Sequence, residues 1–280
     1  MMENGKKHNI TIRGKGDKIL VFGHGLACDQ RIWSRILPYF EEEYRMVLFD
    51  YVGSGLSDHG AYDLKRYKTL QGHGEDLKLL IETLDLWDIT FVGHSVSAMI
   101  GLLAAVDLPE RFKSLVMIGP SPRYLNDGDY FGGFEEEEIH GLLRMMEMNF
   151  TGWATAHAGV FLNQPNFPAE EEHLRGVFLR EDPRLMRQFA EATFFSDHRK
   201  DLSRCPVPAL ILQCAEDSVV PREVGEYLHA HLAGSQLVHL PVTGHYPHLV
   251  APEQTAAVIR QYLKHVELST GEEKKSWIFD

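Results

Sequence analysis

Short apolar runs alternate with amphipathic stretches through the first third of the chain. Residues 10–13 predict a short strand, and residues 19–22 (ILVF) a buried one that ends at Gly23-His24-Gly25. Over residues 29–40, Ile32, Trp33, Ile36, Leu37 and Phe40 recur at helical spacing. Residues 45–50 (RMVLFD) predict the next strand, followed by a loop marked by Gly53-Ser54-Gly55 and Ser57-Asp58. Leu70, His73, Leu77, Leu80, Ile81 and Leu84 form one stripe of a long helix. Residues 89–93 (ITFVG) predict a strand, residues 97–106 a small-residue helix apolar nearly all round and therefore buried, and residues 115–118 (LVMI) another strand. Strand–helix alternation of this kind implies a mostly parallel, doubly wound sheet covered on both faces.

The alternation stops at residue 121 and no strand is predicted before 205. Four helical stripes fill the interval: Ile139, Leu142, Leu143, Met146 and Phe150; Trp153, Ala156, His157, Val160 and Phe161; Leu174, Val177 and Phe178; Leu185, Met186, Phe189 and Thr193. Pro165, Pro168 and Pro183 punctuate them, and the acidic clusters at 135–138 and 170–172 suit the positive ends of helix dipoles. The β pattern resumes at 209–214 (ALILQC) and 236–240, with helices over 221–232 and 252–266. The expected organisation is one α/β core, residues 1–120 and 205–268, interrupted by an all-helical insert over 121–204. Residues 269–280 are expected to form a loose tail, with docking of its apolar end, Trp277-Ile278-Phe279, as the alternative.

Candidate chemistry sits at the strand ends. Strand 89–93 runs straight into Gly93-His94-Ser95-Val96-Ser97 and then a helix, the context of a nucleophile elbow, a turn that presents a serine at its tip. Ser97 stands where the general pattern has glycine, but it remains small. An ordinary serine N-cap is the competing reading. A serine hydroxyl needs a base to take its proton. His245, in the loop after strand 236–240, fits that role, and Asp217, after strand 209–214, fits as the carboxylate that orients it. The order Ser95, Asp217, His245 is the order used by the α/β-hydrolase fold. Glu216 and His248 are the neighbouring alternatives. His245 and His248 also suggest a metal pair, but no third ligand or helical frame accompanies them, so no metal is expected. The backbone N–H groups of Val96 and Leu26 are the expected oxyanion donors. Asp50 reads as structural, bonded within the loop that runs to Asp58.

These segments carry a closer resemblance. The elbow continued through Ala98-Met99-Ile100-Gly101, the run from Gly119 to Asp127 (GPSPRYLND), Tyr130-Phe131-Gly132-Gly133-Phe134, and Phe194-Phe195-Ser196-Asp197-His198-Arg199 resemble the RsbQ family. These are bacterial α/β hydrolases of energy-stress signalling, related to the plant strigolactone and karrikin receptors. The resemblance spans nearly the whole chain. It implies a four-helix, V-shaped lid over a deep, enclosed, apolar pocket and slow hydrolysis of a small hydrophobic ester or lactone-like ligand. It also implies a cytoplasmic location and, in the bacterial case, action with a PAS-domain protein phosphatase. By the same logic Phe134, Trp153, His157, Phe161 and Phe194 are expected to wall the pocket, with lid-on-lid core packing as the alternative for each. Leu26 replaces an aromatic residue common in the family, which is expected to widen the pocket beside Ser95.

Composition narrows the partners. With 28 Lys and Arg against 40 Asp and Glu the formal net charge is −12, which disfavours nucleic acid and anionic membrane. Cys28, Cys205 and Cys214 make no metal or disulfide spacing. The first residues lack a signal-peptide pattern and no window approaches a spanning helix, so a cytoplasmic protein without cofactor is expected. Dehalogenases and epoxide hydrolases of this fold carry aspartate at the elbow, where this chain has Ser95. A carboxylic-ester hydrolase is therefore one reading, and a module that makes or senses a small molecule for a partner protein is the other.

Overall fold

The computed structural model describes residues 6–163 and 166–276, so Pro165 and Trp277-Ile278-Phe279 lie outside the described residues. Seven strands form one sheet: β1 (Thr11–Arg13), β2 (Lys18–Gly23), β3 (Tyr44–Leu48), β4 (Ile89–His94), β5 (Phe112–Ile118), β6 (Ala209–Glu216) and β7 (Ser235–Thr243). Their order is β1-β3-β2-β4-β5-β6-β7, antiparallel only between β1 and β3. The central strands are apolar on both faces and buried on both, as a sheet sandwiched between helices requires.

Two long helices follow the early strands, α1 (Leu70–Thr83) and α2 (Val96–Asp107). Four more interrupt the chain between β5 and β6: α3 (Glu136–Met148), α4 (Phe150–Leu162), α5 (Pro168–Phe178) and α6 (Pro183–Phe194). After β6 come α7 (Arg222–His231), a single turn α8 (Pro247–Val250) and α9 (Pro252–Ser276). The starts of the inserted helices are local sequence effects. Glu135 and Glu138 form a reciprocal capping box on α3. Asn149 caps α4 through the Gly152 N–H, and Asp182 caps α6 through the Arg184 N–H. Pro168 and Pro183 occupy first helical positions, where their missing N–H costs nothing. The two strands of chain that connect the insert to the sheet pair with each other at Arg123 and Asp197, which also form an ion pair at 3.1 Å.

Several sequence expectations change. The predicted helix over 29–40 is two 3₁₀ turns, Gln30–Trp33 and Leu37–Tyr39. Pro38 removes a donor where an α-helix would need one, and the apolar spacing is as compatible with i,i+3 as with i,i+4 contacts. Phe150 starts α4 and does not belong to the stripe of α3. On α4 the buried positions are Phe150, Trp153, Ala154, Ala158 and Leu162, whereas Ala156 and Val160 face solvent. That helix is apolar almost all round, so its sequence does not single out a face. The last helix runs on to Ser276, into the 269–280 segment expected to form a loose tail. Asp50 is structural, as expected: it accepts hydrogen bonds from the Leu56 and Gln30 N–H groups and from Asn9. No described helix is long and apolar enough to cross a membrane.

Candidate active site

The sheet order sets the site. The chain turns from β2 to β3 on one side and to β4 on the other, so the loops after β2 and β4 emerge side by side, with Gly23 paired to Gly93. Ser95 leaves β4 with φ 56° and ψ −121°, a conformation a non-glycine residue adopts only when its surroundings force it. Its N–H is tied to the Ile118 carbonyl at 2.8 Å. Gly93 shows why the elbow needs small neighbours: a Cβ there would lie 2.7 Å from the Ser97 carbonyl carbon. Ser97 uses the hydroxyl that glycine would lack. It donates to the His24 carbonyl and receives a hydrogen bond from the Tyr51 hydroxyl at 2.7 Å, joining the elbow helix to the loop after β2.

The candidate base and its carboxylate follow β7 and β6. Asp217 Oδ1 accepts the Val219 and Val220 N–H groups at 2.8 and 3.1 Å, which fixes the carboxylate. Its Oδ2 accepts the His245 Nδ1–H at 2.7 Å. Both side chains are almost fully buried. With Nδ1 donating, Nε2 is the bare edge of the ring, and it has no partner among the described residues. The His245 loop is held from two directions: its N–H donates to the Phe161 carbonyl at 2.7 Å, and its carbonyl accepts the His94 Nε2–H at 2.9 Å. Gly119, at the end of β5 with φ +57°, clears the path from β7 to β4; a Cβ there would sit 2.9 Å from the imidazole. The Ser95 hydroxyl lies 3.5 Å from the Tyr124 hydroxyl and makes no hydrogen bond to His245. Hydrogen bonds of this kind commonly close only around a substrate.

Glu216 and His248 drop out as alternatives. Glu216 is exposed, and its carbonyl accepts the Gly244 N–H. The fully buried His248 ring packs 4.6 Å from Trp33, and burial, reinforced by His245, lowers its pKa to about 3. Burial likewise pushes His94 far below the usual histidine range, so it stays neutral, and raises the Tyr124 hydroxyl.

Leu26, Ser95, Tyr124 and His245 meet Trp153, Phe161, Thr193, Phe194, Val219 and Tyr246 around one cavity. Trp153, Phe161 and Phe194 are thus pocket residues. Phe134 and His157 are not among those lining the cavity. Phe134 stands behind Phe194, edge-on at 5.9 Å, and His157 stacks on Trp153 and donates back to its carbonyl at 2.9 Å. The cavity is also tighter than expected. Its volume is about 20 Å³. The roomier hollows, about 520 and 290 Å³, are half-open surface clefts away from Ser95. The sequence reading missed Tyr124, Thr193, Val219 and Tyr246. Tyr124 and Val219 follow the carboxyl ends of β5 and β6, where ligands meet such sheets, and that rule was the available signal.

An elbow serine on β4, an Asp–His pair from β6 and β7 and an inserted helical layer above them define an α/β hydrolase. The profile of the Alpha/beta hydrolase family matches residues 20–258, and the chain belongs to that family. It is 41% identical to strigolactone esterase D14 of Arabidopsis thaliana over 91% of this chain and 96% of that one. It is 36% identical to the karrikin insensitive 2 receptor CA of Petunia hybrida, over 92% and 96%. The structure superposes on that of olei00960, a hydrolase from Oleispira antarctica, with a TM-score of 0.91 and 36% identity, covering 94% and 96% of the two chains.

Proposed function

We propose that the protein is a carboxylic-ester hydrolase that uses Ser95, His245 and Asp217 on a small hydrophobic ester or lactone. The observation that carries this reading is the His245 ring: held by Asp217 at Nδ1, it keeps a bare Nε2 at the small, mostly apolar cavity that Ser95 also lines. In the reaction His245 takes the Ser95 proton as the hydroxyl oxygen attacks the carbonyl carbon. The N–H groups of Leu26 and Val96 receive the negative charge, and neither is taken by a backbone carbonyl among the described residues. His245 returns the proton to the leaving alkoxide. Water then repeats the sequence on the acyl-serine and releases the acid.

The test is turnover of p-nitrophenyl acetate and labelling of Ser95 by a fluorophosphonate. Ser95→Ala is expected to abolish both. Asp217→Asn, which presents the wrong hydrogen-bonding partner to His245, is expected to lower kcat by about 10⁴. Wild-type protein that neither turns over the ester nor takes the label would end this reading.

The tightness of the cavity favours a second, compatible reading. A ligand must displace lid side chains to enter, so binding and lid conformation are linked, and the similarity to a karrikin receptor points the same way. On this reading the protein makes or senses a small molecule in the cytoplasm and acts on a partner such as a PAS-domain phosphatase. The charge of −12 argues against nucleic acid or a membrane as partner. Ligand-dependent binding of such a phosphatase, present with wild type and lost with a lid variant, is the result expected.

A further inference from the structure

We propose that His24 is a positioning residue that aims the Leu26 N–H at the oxyanion, a role that rests on the hydrolase reading above. His24 is completely buried in the loop after β2. Its Nε2 accepts the Tyr51 N–H at 3.1 Å, which leaves the ring proton on Nδ1. Nδ1 then donates to the Gly25 carbonyl at 2.9 Å. Burial lowers the pKa of this ring, consistent with the single neutral form that the two bonds require.

The Gly25 carbonyl and the Leu26 N–H belong to one peptide group. That group is planar and trans, with its oxygen and hydrogen pointing in opposite directions. Fixing the carbonyl oxygen therefore fixes the direction of the N–H. The Cys28 N–H adds a second, longer bond to the same oxygen at 3.3 Å. Gly25 leaves the peptide little room to drift, since a Cβ there would lie 2.5 Å from the His94 ring. On the far side Leu26 lines the cavity with Ser95. The loop itself is anchored to the elbow helix, because Ser97 donates to the His24 carbonyl. His24 thus sets one donor by a hydrogen bond made entirely away from the substrate, before any charge appears in the reaction.

Two substitutions divide the two bonds of the ring. His24→Asn places an amide N–H where Nδ1 stands and keeps the bond to Gly25. His24→Gln places its amide group near Nε2, can serve Tyr51 and loses the bond to Gly25. Each is assayed beside wild type and Ser95→Ala on p-nitrophenyl acetate and on its thiono analogue, whose sulfur is a weak hydrogen-bond acceptor. His24→Gln is expected to lower kcat on the ester by about 10–100-fold, with KM changed less than about threefold, because a misaimed donor is a weaker version of a deleted one. Its preference for ester over thionoester should shrink by about tenfold or more. Partial unfolding lowers both rates alike and leaves that ratio unchanged. His24→Asn should stay within about threefold of wild type in rate and ratio. An unchanged ratio in His24→Gln, or equal impairment of both variants, overturns the positioning role. Wild-type activity that survives Ser95→Ala overturns the hydrolase reading itself, and the role of His24 with it.

Discussion

Glu181 shows how much one buried side chain can say about conditions. It lies between α5 and α6, and its carboxylate accepts the Gly55 N–H at 3.1 Å from the core loop after β3. Burial raises its pKa to about 9, with Asp29 and Asp50 adding to the shift against the opposing Gly55 bond. The folded chain therefore holds a proton that the unfolded chain releases near its ordinary value of 4.5. Stability from this group should fall as pH rises from about 4.5 to about 9 and stay at the lower level above that. Glu181→Gln keeps an acceptor for Gly55 and removes the titration. At pH 8 the variant should melt higher than wild type, by about 2–4 °C for each kcal/mol recovered, and the gap should close by pH 4. Thermal melts across that range measure it; a constant gap would show that Glu181 is not the titrating group.

Among the elements, α4 and the loop after β7 act as a unit. Gly244 has φ +98°, and a Cβ there would lie 1.9 Å from the Leu162 carbonyl oxygen at the end of α4. The next residue, His245, donates its N–H to Phe161 on the same helix. The lid helix therefore sets the backbone of the proposed base. Gly244→Ala is expected to cost about 2–4 kcal/mol from the strained φ and the clash together, and to lower kcat at least about tenfold by moving the imidazole. Denaturant unfolding and steady-state kinetics report the two effects, and unchanged kcat in a destabilised variant would separate the lid helix from the base.

At the scale of the molecule, the sheet and the inserted helices share one continuous hydrophobic core that includes residues of α3, α4, α5 and α6. The insert is thus separate in chain order but not in packing, and the space between it and Ser95 is filled by its own side chains. Phe161 is the partly buried one of these that both lines the cavity and packs against the core. Phe161→Ala should exchange stability for room, losing about 3 kcal/mol or more while raising kcat/KM for p-nitrophenyl hexanoate relative to acetate by about tenfold, the scale set by a few methylenes in an apolar pocket. An unchanged chain-length preference would mean that another part of the wall limits entry.

The sequence by itself determined the strands, the long helices, the position of the insert and the placement of the candidate trio Ser95, Asp217 and His245. These are legible because they depend on local patterns: apolar runs for doubly buried strands, small residues around a tight turn, and reactive residues just past strand ends. Only the tertiary structure decided which face of α4 is buried, because that helix is apolar all round. It also decided that residues 30–39 are two 3₁₀ turns, that Phe134 and His157 stand behind the pocket wall, and that the cavity is small. Those outcomes depend on which side chains from distant segments compete for the same space. Ser97 joins the two levels. Its small size is readable in the elbow, but the use of its hydroxyl, bridging Tyr51 to the His24 carbonyl, exists only once the loops after β2 and β4 are brought together by the sheet.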